Sequence, residues 1–235
     1  MFTGKHFVWI GLCVAFVAVL LVLSIRFSFS LHRAGLIMTV ICVLSESSKM
    51  MSEMIPGVRG GMVLDPLALP FHLCSLLLFG VVYITFAKES PAKQHIIDFM
   101  AVAGTLGSIC ALLIPTNGVD FLSIGAYQCF VYHSGLLWFS FYLIVSKKAN
   151  LGLRALFSNL GILLLLVLMN FYVNSFLSAY GSNFMYLVRP PMENLPFLNL
   201  DKGWYVYFLR IVVLAMAAFT LFHLPFIVRE RRIRR

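Results

Sequence analysis

Two cysteine–histidine combinations in this chain have spacings that could support nucleophilic chemistry. Such catalysis needs a nucleophile, a base in reach and usually a third group that orients the base. Cys129 and His133 are four residues apart and share one face of a helix. His72 and Cys74 are two apart, which on a regular helix is about 200° of rotation, so they point away from each other unless Pro70 distorts the turn. His133, on another apolar run at similar depth, is then the better base for Cys74. Cys129 with His133 remains a rival pair, and Ser75 and Ser134 are weaker nucleophiles. Glu46, Asn170 or Asn174 could orient the base. The residues alone do not choose among these arrangements, and each polar group taken singly also has a packing explanation.

The elements that must carry these residues are membrane spans. Of 235 residues 61% are hydrophobic and 11% charged, against about 45–50% and 25% in soluble domains. Mean hydropathy is +0.94. This excludes a soluble globular domain and a disordered chain. Seven apolar segments are expected, at about 7-25, 35-55, 67-87, 95-114, 121-146, 155-180 and 203-228, forming one all-α, polytopic transmembrane domain over 1-235. The first, with 19 uncharged residues, exceeds the 7–15-residue core of a cleavable signal and is expected to remain as a helix.

Other chemistries fit less well. All five cysteines, Cys13, Cys42, Cys74, Cys110 and Cys129, lie inside apolar runs without a Cys-x-x-Cys pair, so neither a zinc site nor a disulfide framework is expected. Six scattered histidines are too few for a lipid desaturase, no lysine lies within the seventh span for a retinal Schiff base, and phosphate-loop and dinucleotide motifs are absent. Nothing specific supports a haem or quinone on His72 and His133. No metal and no cofactor are expected.

The net charge of +9 is read as topology and anionic lipid head groups rather than nucleic-acid binding. On the tail's side of the membrane lie Arg26, Arg33, Lys88, Lys93, Lys147, Lys148, Arg154 and the five tail arginines; the other side holds Lys5, Arg59, Arg189 and Lys202. This bias predicts a cytoplasmic C-terminus. Ionisable residues within spans are expensive. Depth counting from each span's entry gathers Glu46, Lys49, Glu53, His72, Cys74, Gln128, Cys129, His133, Asn170, Asn174 and Arg210 toward the opposite, extracytoplasmic side, with Asp98 and His223 near the tail side. A polar cavity open to that side is expected. The rival explanation is ion pairing of Lys49 with Glu46 or Glu53 along one helix and interhelical bonding by Asn170 and Asn174.

Several strings are more specific than composition. Leu69-Pro-Phe-His-Leu-Cys74 resembles the Leu-Pro-x-His-Leu-Cys element of the bacterial YwaF family of integral membrane proteins. Ala103-Gly-Thr-Leu-Gly107 with Leu113-Ile-Pro-Thr116, His133 followed by a small residue, Gly181-Ser-Asn-Phe-Met-Tyr-Leu-Val-Arg-Pro190 and Gly203-Trp-Tyr-Val-Tyr207 resemble that family's further elements, in order from about residue 65 to 220. Phe184 stands where the pattern has Tyr, Arg189 where it has Lys, and Asn117-Gly-Val-Asp120 where it has a Thr-Pro-Asp order.

A related eukaryotic transmembrane protein is a cysteine-dependent acyltransferase of ether phospholipids, with its cysteine in the same His-Leu-Cys element. The resemblance therefore implies a bacterial cell-membrane protein in which Cys74 takes an acyl chain from a membrane lipid and His133 is the base. Asn183 could serve the oxyanion, and Arg189 and Arg210 a phosphate. Two other functions remain open: a transporter using Glu46, Lys49, Glu53 and Arg210, and a non-catalytic lipid- or ligand-binding protein. Only the first needs Cys74.

Overall fold

An apolar segment in a bilayer must satisfy its own backbone hydrogen bonds, so the apolar runs become helices. The computed structural model describes residues 2–58, 60–192 and 195–233. The seven helices are α1 (Gly4–Arg26), α2 (Leu31–Ser52), α3 (Leu73–Phe86), α4 (Pro91–Leu113), α5 (Ile124–Val145), α6 (Leu153–Phe176) and α7 (Trp204–Ile233). A short antiparallel hairpin, β1 (Met54–Pro56) with β2 (Met62–Leu64), follows α2 and pairs Met54 with Leu64. Six of the helices are long and apolar enough to cross a membrane. The protein is an all-α polytopic membrane protein.

Polar residues at the run edges set where helices start. The side chains of Thr3, Ser30, Ser90 and Ser123 accept bonds from the backbone N–H of His6, Arg33, Lys93 and Ala126, as N-caps do. Pro91 occupies the first turn of α4, where its missing N–H costs nothing. The third segment departs from the expected 67-87. Pro66–Ala68 forms a single 3-10 turn, the chain continues without regular structure, and α3 begins only at Leu73. Pro66 and Pro70 explain the delay, since each lacks a donor and restricts the residue before it. The sixth segment stops being α-helical at Phe176, short of the expected 180, and continues as a 3-10 turn at Ser178–Tyr180. Arg59, Arg234 and Arg235, counted in the charge bias, lie outside the described residues.

α5 is the hub, packing against α4, α2 and α1. α3 sits against α2 and α4, and α6 joins α4 to α7. In the apolar stretches of α4 and α5 61% of residues are buried, against 17% in α6 and α7, so the first two form the interior and the others face lipid. The core comprises Met38 and Cys42 of α2, Val81 and Ile84 of α3, Met100 to Ala103 of α4, and Leu136, Trp138, Phe139 and Leu143 of α5. Small residues permit the closest approaches: a Cβ on Gly104 would run into Ser140, and one on Gly35 into Thr85.

Candidate functional site

α3 has 14 residues, about 21 Å of helix, where the hydrocarbon core is about 30 Å thick. α3 by itself is therefore too short to cross that core. Cys74 occupies the first turn of α3, and His72 is the N-cap, with extended backbone (φ −67°, ψ 149°) and no side-chain cap bond. The first-turn amides of Leu73, Cys74 and Ser75 have no intrahelical acceptor. His72 lies outside the helix, so the rotation expected of a regular helix does not relate it to Cys74.

Around this helix start the structure gathers groups from four other elements. The Tyr132 hydroxyl of α5 donates to the Cys74 carbonyl. The Cys74 Sγ faces Gly107 of α4, 3.4 Å from where a Cβ would stand. On α2 Lys49 pairs with Glu46, Nζ to Oε1 at 2.7 Å. Glu53 follows the end of α2, so of the two expected partners of Lys49 it is Glu46 that makes the ion pair. Gln128 donates to Ser45 Oγ at 2.8 Å and accepts from Asn117 at 3.4 Å, joining α5, α2 and the α4–α5 connection.

His133 is oriented by its own helix. Its Nδ1 lies 2.7 Å from the Cys129 carbonyl oxygen and 3.6 Å from Cys129 Sγ. A carbonyl only accepts, so Nδ1 carries the proton and Nε2 the lone pair. Cys129 thus faces a donor rather than a base. It is also 4% exposed and lies in the second turn of α5, past the free first-turn amides. Cys74 and His133 are each partly exposed. They make no direct hydrogen bond among the described residues.

The α6–α7 connection covers the site. Asn174 grips the Phe184 peptide at both ends: its Oδ1 accepts from Phe184 N at 2.8 Å and its Nδ2 donates to Phe184 O at 3.0 Å. Phe184 and Leu187 are buried, and the Phe184 ring meets His72 and Phe71 at 5.4 and 5.5 Å between centroids. Tyr207 Oη donates to Tyr186 O at 2.6 Å and Trp204 Nε1 to Leu187 O at 2.9 Å. Met185 and Tyr186 both have φ of 55°, a left-handed conformation costing about 1–2 kcal/mol per non-glycine residue.

Other residues singled out in the sequence hold this connection in shape. Asn183 accepts from the backbone of Val188 and Arg189 and donates to Arg189 O, so its amide nitrogen already serves the loop. Arg189 donates to Gly181 O, and Arg210 to Phe197 O and Asn199 Oδ1. Asn170 donates to Leu166 O and contacts Met185 Sδ, while its buried Oδ1 lacks a partner. Tyr132 and Tyr186 were not singled out from the sequence. Tyr132 lies one turn after Gln128 on the same helix face, a spacing that could have marked it.

At the other end of the bundle Asp98 Oδ1 accepts from Gln94 Nε2 and Asn150 N, both at 2.7 Å. Asn159 bridges Asp98 O and His223 Nε2 at 3.3 and 3.1 Å. The two residues expected apart from the main polar cluster are therefore joined in a second one.

The fold defines a polytopic helical membrane protein in which Cys74, His72 and their polar neighbours gather at one end of the bundle beside the α6–α7 connection. The sequence profile of the TMEM164 family matches residues 1–223, and the chain belongs to that family. The match thus carries the TMEM164 name rather than that of the bacterial family whose motifs the sequence resembles. Neither a curated protein nor a solved structure matches the chain.

Proposed function

We propose that the protein is a lipid acyltransferase working through a thioester on Cys74. The observation that carries this reading is the position of Cys74 in the uncapped first turn of α3, where its side chain is partly exposed. The positive end of a helix favours both a thiolate and an oxyanion, and first-turn amides can serve as oxyanion donors. The resemblance of the His-Leu-Cys element to that of cysteine-dependent acyltransferases points the same way.

His133 Nε2 takes the thiol proton through a bridging water, and Cys74 Sγ attacks the ester carbonyl of a membrane phospholipid. The carbonyl π pair moves to oxygen. Collapse restores the carbonyl and breaks the ester C–O bond, and the lyso-lipid alkoxide takes the proton from His133. An acceptor hydroxyl, deprotonated by the same nitrogen, then attacks the thioester and releases Cys74. Arg189 and Arg210 use some of their donors on loop carbonyls and offer the rest to a lipid phosphate. In this reading the site opens on the extracytoplasmic side, opposite the arginine-rich tail, as the charge bias predicts.

Intact mass of the membrane-purified protein, before and after neutral hydroxylamine, tests this. A labile adduct of fatty-acyl mass is expected, absent in Cys74→Ala. No adduct after incubation with mixed phospholipids, with Cys74 also inert to a small thiol reagent, would remove the enzyme reading. Ligand binding or transport around Glu46 and Lys49 would take its place.

A further inference from the structure

The α6–α7 connection brings Tyr186 against His72, the residue two before Cys74, with 5.2 Å between the ring centroids. The side chain is partly accessible, as are Cys74 and His133.

The backbone is arranged to deliver it. The left-handed φ at Met185 and Tyr186 turns the chain back on itself. Asn174 of α6 clamps the peptide of Phe184, two residues earlier, and Tyr207 of α7 holds the Tyr186 carbonyl. A tyrosine whose backbone is held from two helices, with its ring against the N-cap residue of a third that bears a thiol, is a preorganised donor.

We infer that Tyr186 is a catalytic residue whose hydroxyl donates a hydrogen bond to the oxyanion formed when Cys74 attacks an acyl ester; this rests on the acyltransferase reading above. When Sγ bonds to the carbonyl carbon, the displaced electron pair resides on the carbonyl oxygen. The phenol and the α3 first-turn amides stabilise it without the phenol giving up its proton. Collapse returns the pair to the C=O bond as the ester C–O bond breaks. The phenol is in place before substrate arrives, so it needs no reorganisation during the step.

Two reactions of Cys74 separate this role from packing. Acylation by p-nitrophenyl octanoate passes through an oxyanion; alkylation by iodoacetamide, a displacement at an sp³ carbon, does not. Both are followed by intact mass on the full-length protein in detergent, for the unmodified protein and for Tyr186→Phe, which keeps the ring against His72. Acylation is expected to slow about 10²–10³-fold, the usual effect of losing one oxyanion donor, with alkylation unchanged. Equal acylation rates in the two proteins overturn the role of Tyr186 and leave the thioester reading standing. Slowing of both reactions also overturns it, because the ring would then act through packing. If the unmodified protein alkylates at Cys74 but does not acylate, the thioester reading falls and this inference falls with it.

Discussion

A thiol in the first turn of a helix stands among free N–H groups, whereas one in the second turn lies where the N–H groups are bonded along the ladder. Cys74 and Cys129 differ in this way. Cys129→Ser is expected to retain the hydroxylamine-labile adduct; its loss there, with retention in Cys74→Ala, would exchange their roles. His133→Gln is expected to slow acylation by about 10²–10⁴, the usual share of a general base. Unlike Tyr186→Phe, it should slow alkylation as well, because the thiolate itself becomes scarcer. Mass-resolved rates for both reactions check this.

At the bundle surface Lys5 Nζ lies 3.0 Å from Asp120 Oδ1, and this hydrogen bond and charge hold the exposed Asp120 carboxyl below its ordinary value. A carboxyl lowered on folding adds stability above its unfolded pKa and loses it as pH falls through the folded one. Protection of the α1 start, read by hydrogen exchange, should therefore weaken on acidification below the ordinary carboxylate range and be insensitive to that change in Lys5→Gln.

Among the elements, the α6–α7 connection is held at Phe184 by Asn174. Asn174→Ala leaves the buried Phe184 N–H without its partner and the Phe184 carbonyl with only the 3.4 Å bond from Leu187 N, at about 1–3 kcal/mol for the unsatisfied donor. Hydrogen exchange should rise across residues 183–188 while α4 and α5 stay protected, and acylation should fall because Tyr186 loses its anchor. Unchanged exchange there would show that the contacts from α7 suffice. Helix packing follows the small residues: Gly104→Val forces a branched side chain onto Ser140 and Leu136 and should cost about 1–3 kcal/mol, as overpacking does. Gly161 of α6 has open space around it, so Gly161→Ala should leave the thermal midpoint in detergent unchanged or higher.

Across the whole molecule polarity is divided between the ends. One end holds the cluster around Cys74, Glu46 and Lys49. At the other Asp98, Asn159 and His223 join, with the peptides of Asn150 and Leu151 tied in. The positive charges collect at this second end, and the charge rule predicts that it faces the cytoplasm. A fluorescent protein fused after residue 235 should therefore fluoresce in a bacterial host and a periplasm-dependent phosphatase in its place should be inactive; the reverse would invert the orientation.

Composition and run length determined the class of fold by themselves, because a bilayer leaves a long apolar segment no alternative to a helix. Depth counting along those runs also brought Glu46, His72, Cys74, Cys129 and His133 to one end, since rise per residue is fixed. The local irregularities were harder to read. The prolines marked a disturbance near 66-70, but not that α3 would begin at Leu73 and leave Cys74 at an open helix end. Nor did spacing distinguish Cys74 from Cys129, because the distinction lies in backbone hydrogen bonding and in which His133 nitrogen faces a carbonyl. Only the tertiary structure decided the place of Tyr186. It lies in a connection with no periodicity, and its direction is set by Asn174 and Tyr207 reaching in from two helices, contacts between residues distant in the chain that no local pattern encodes.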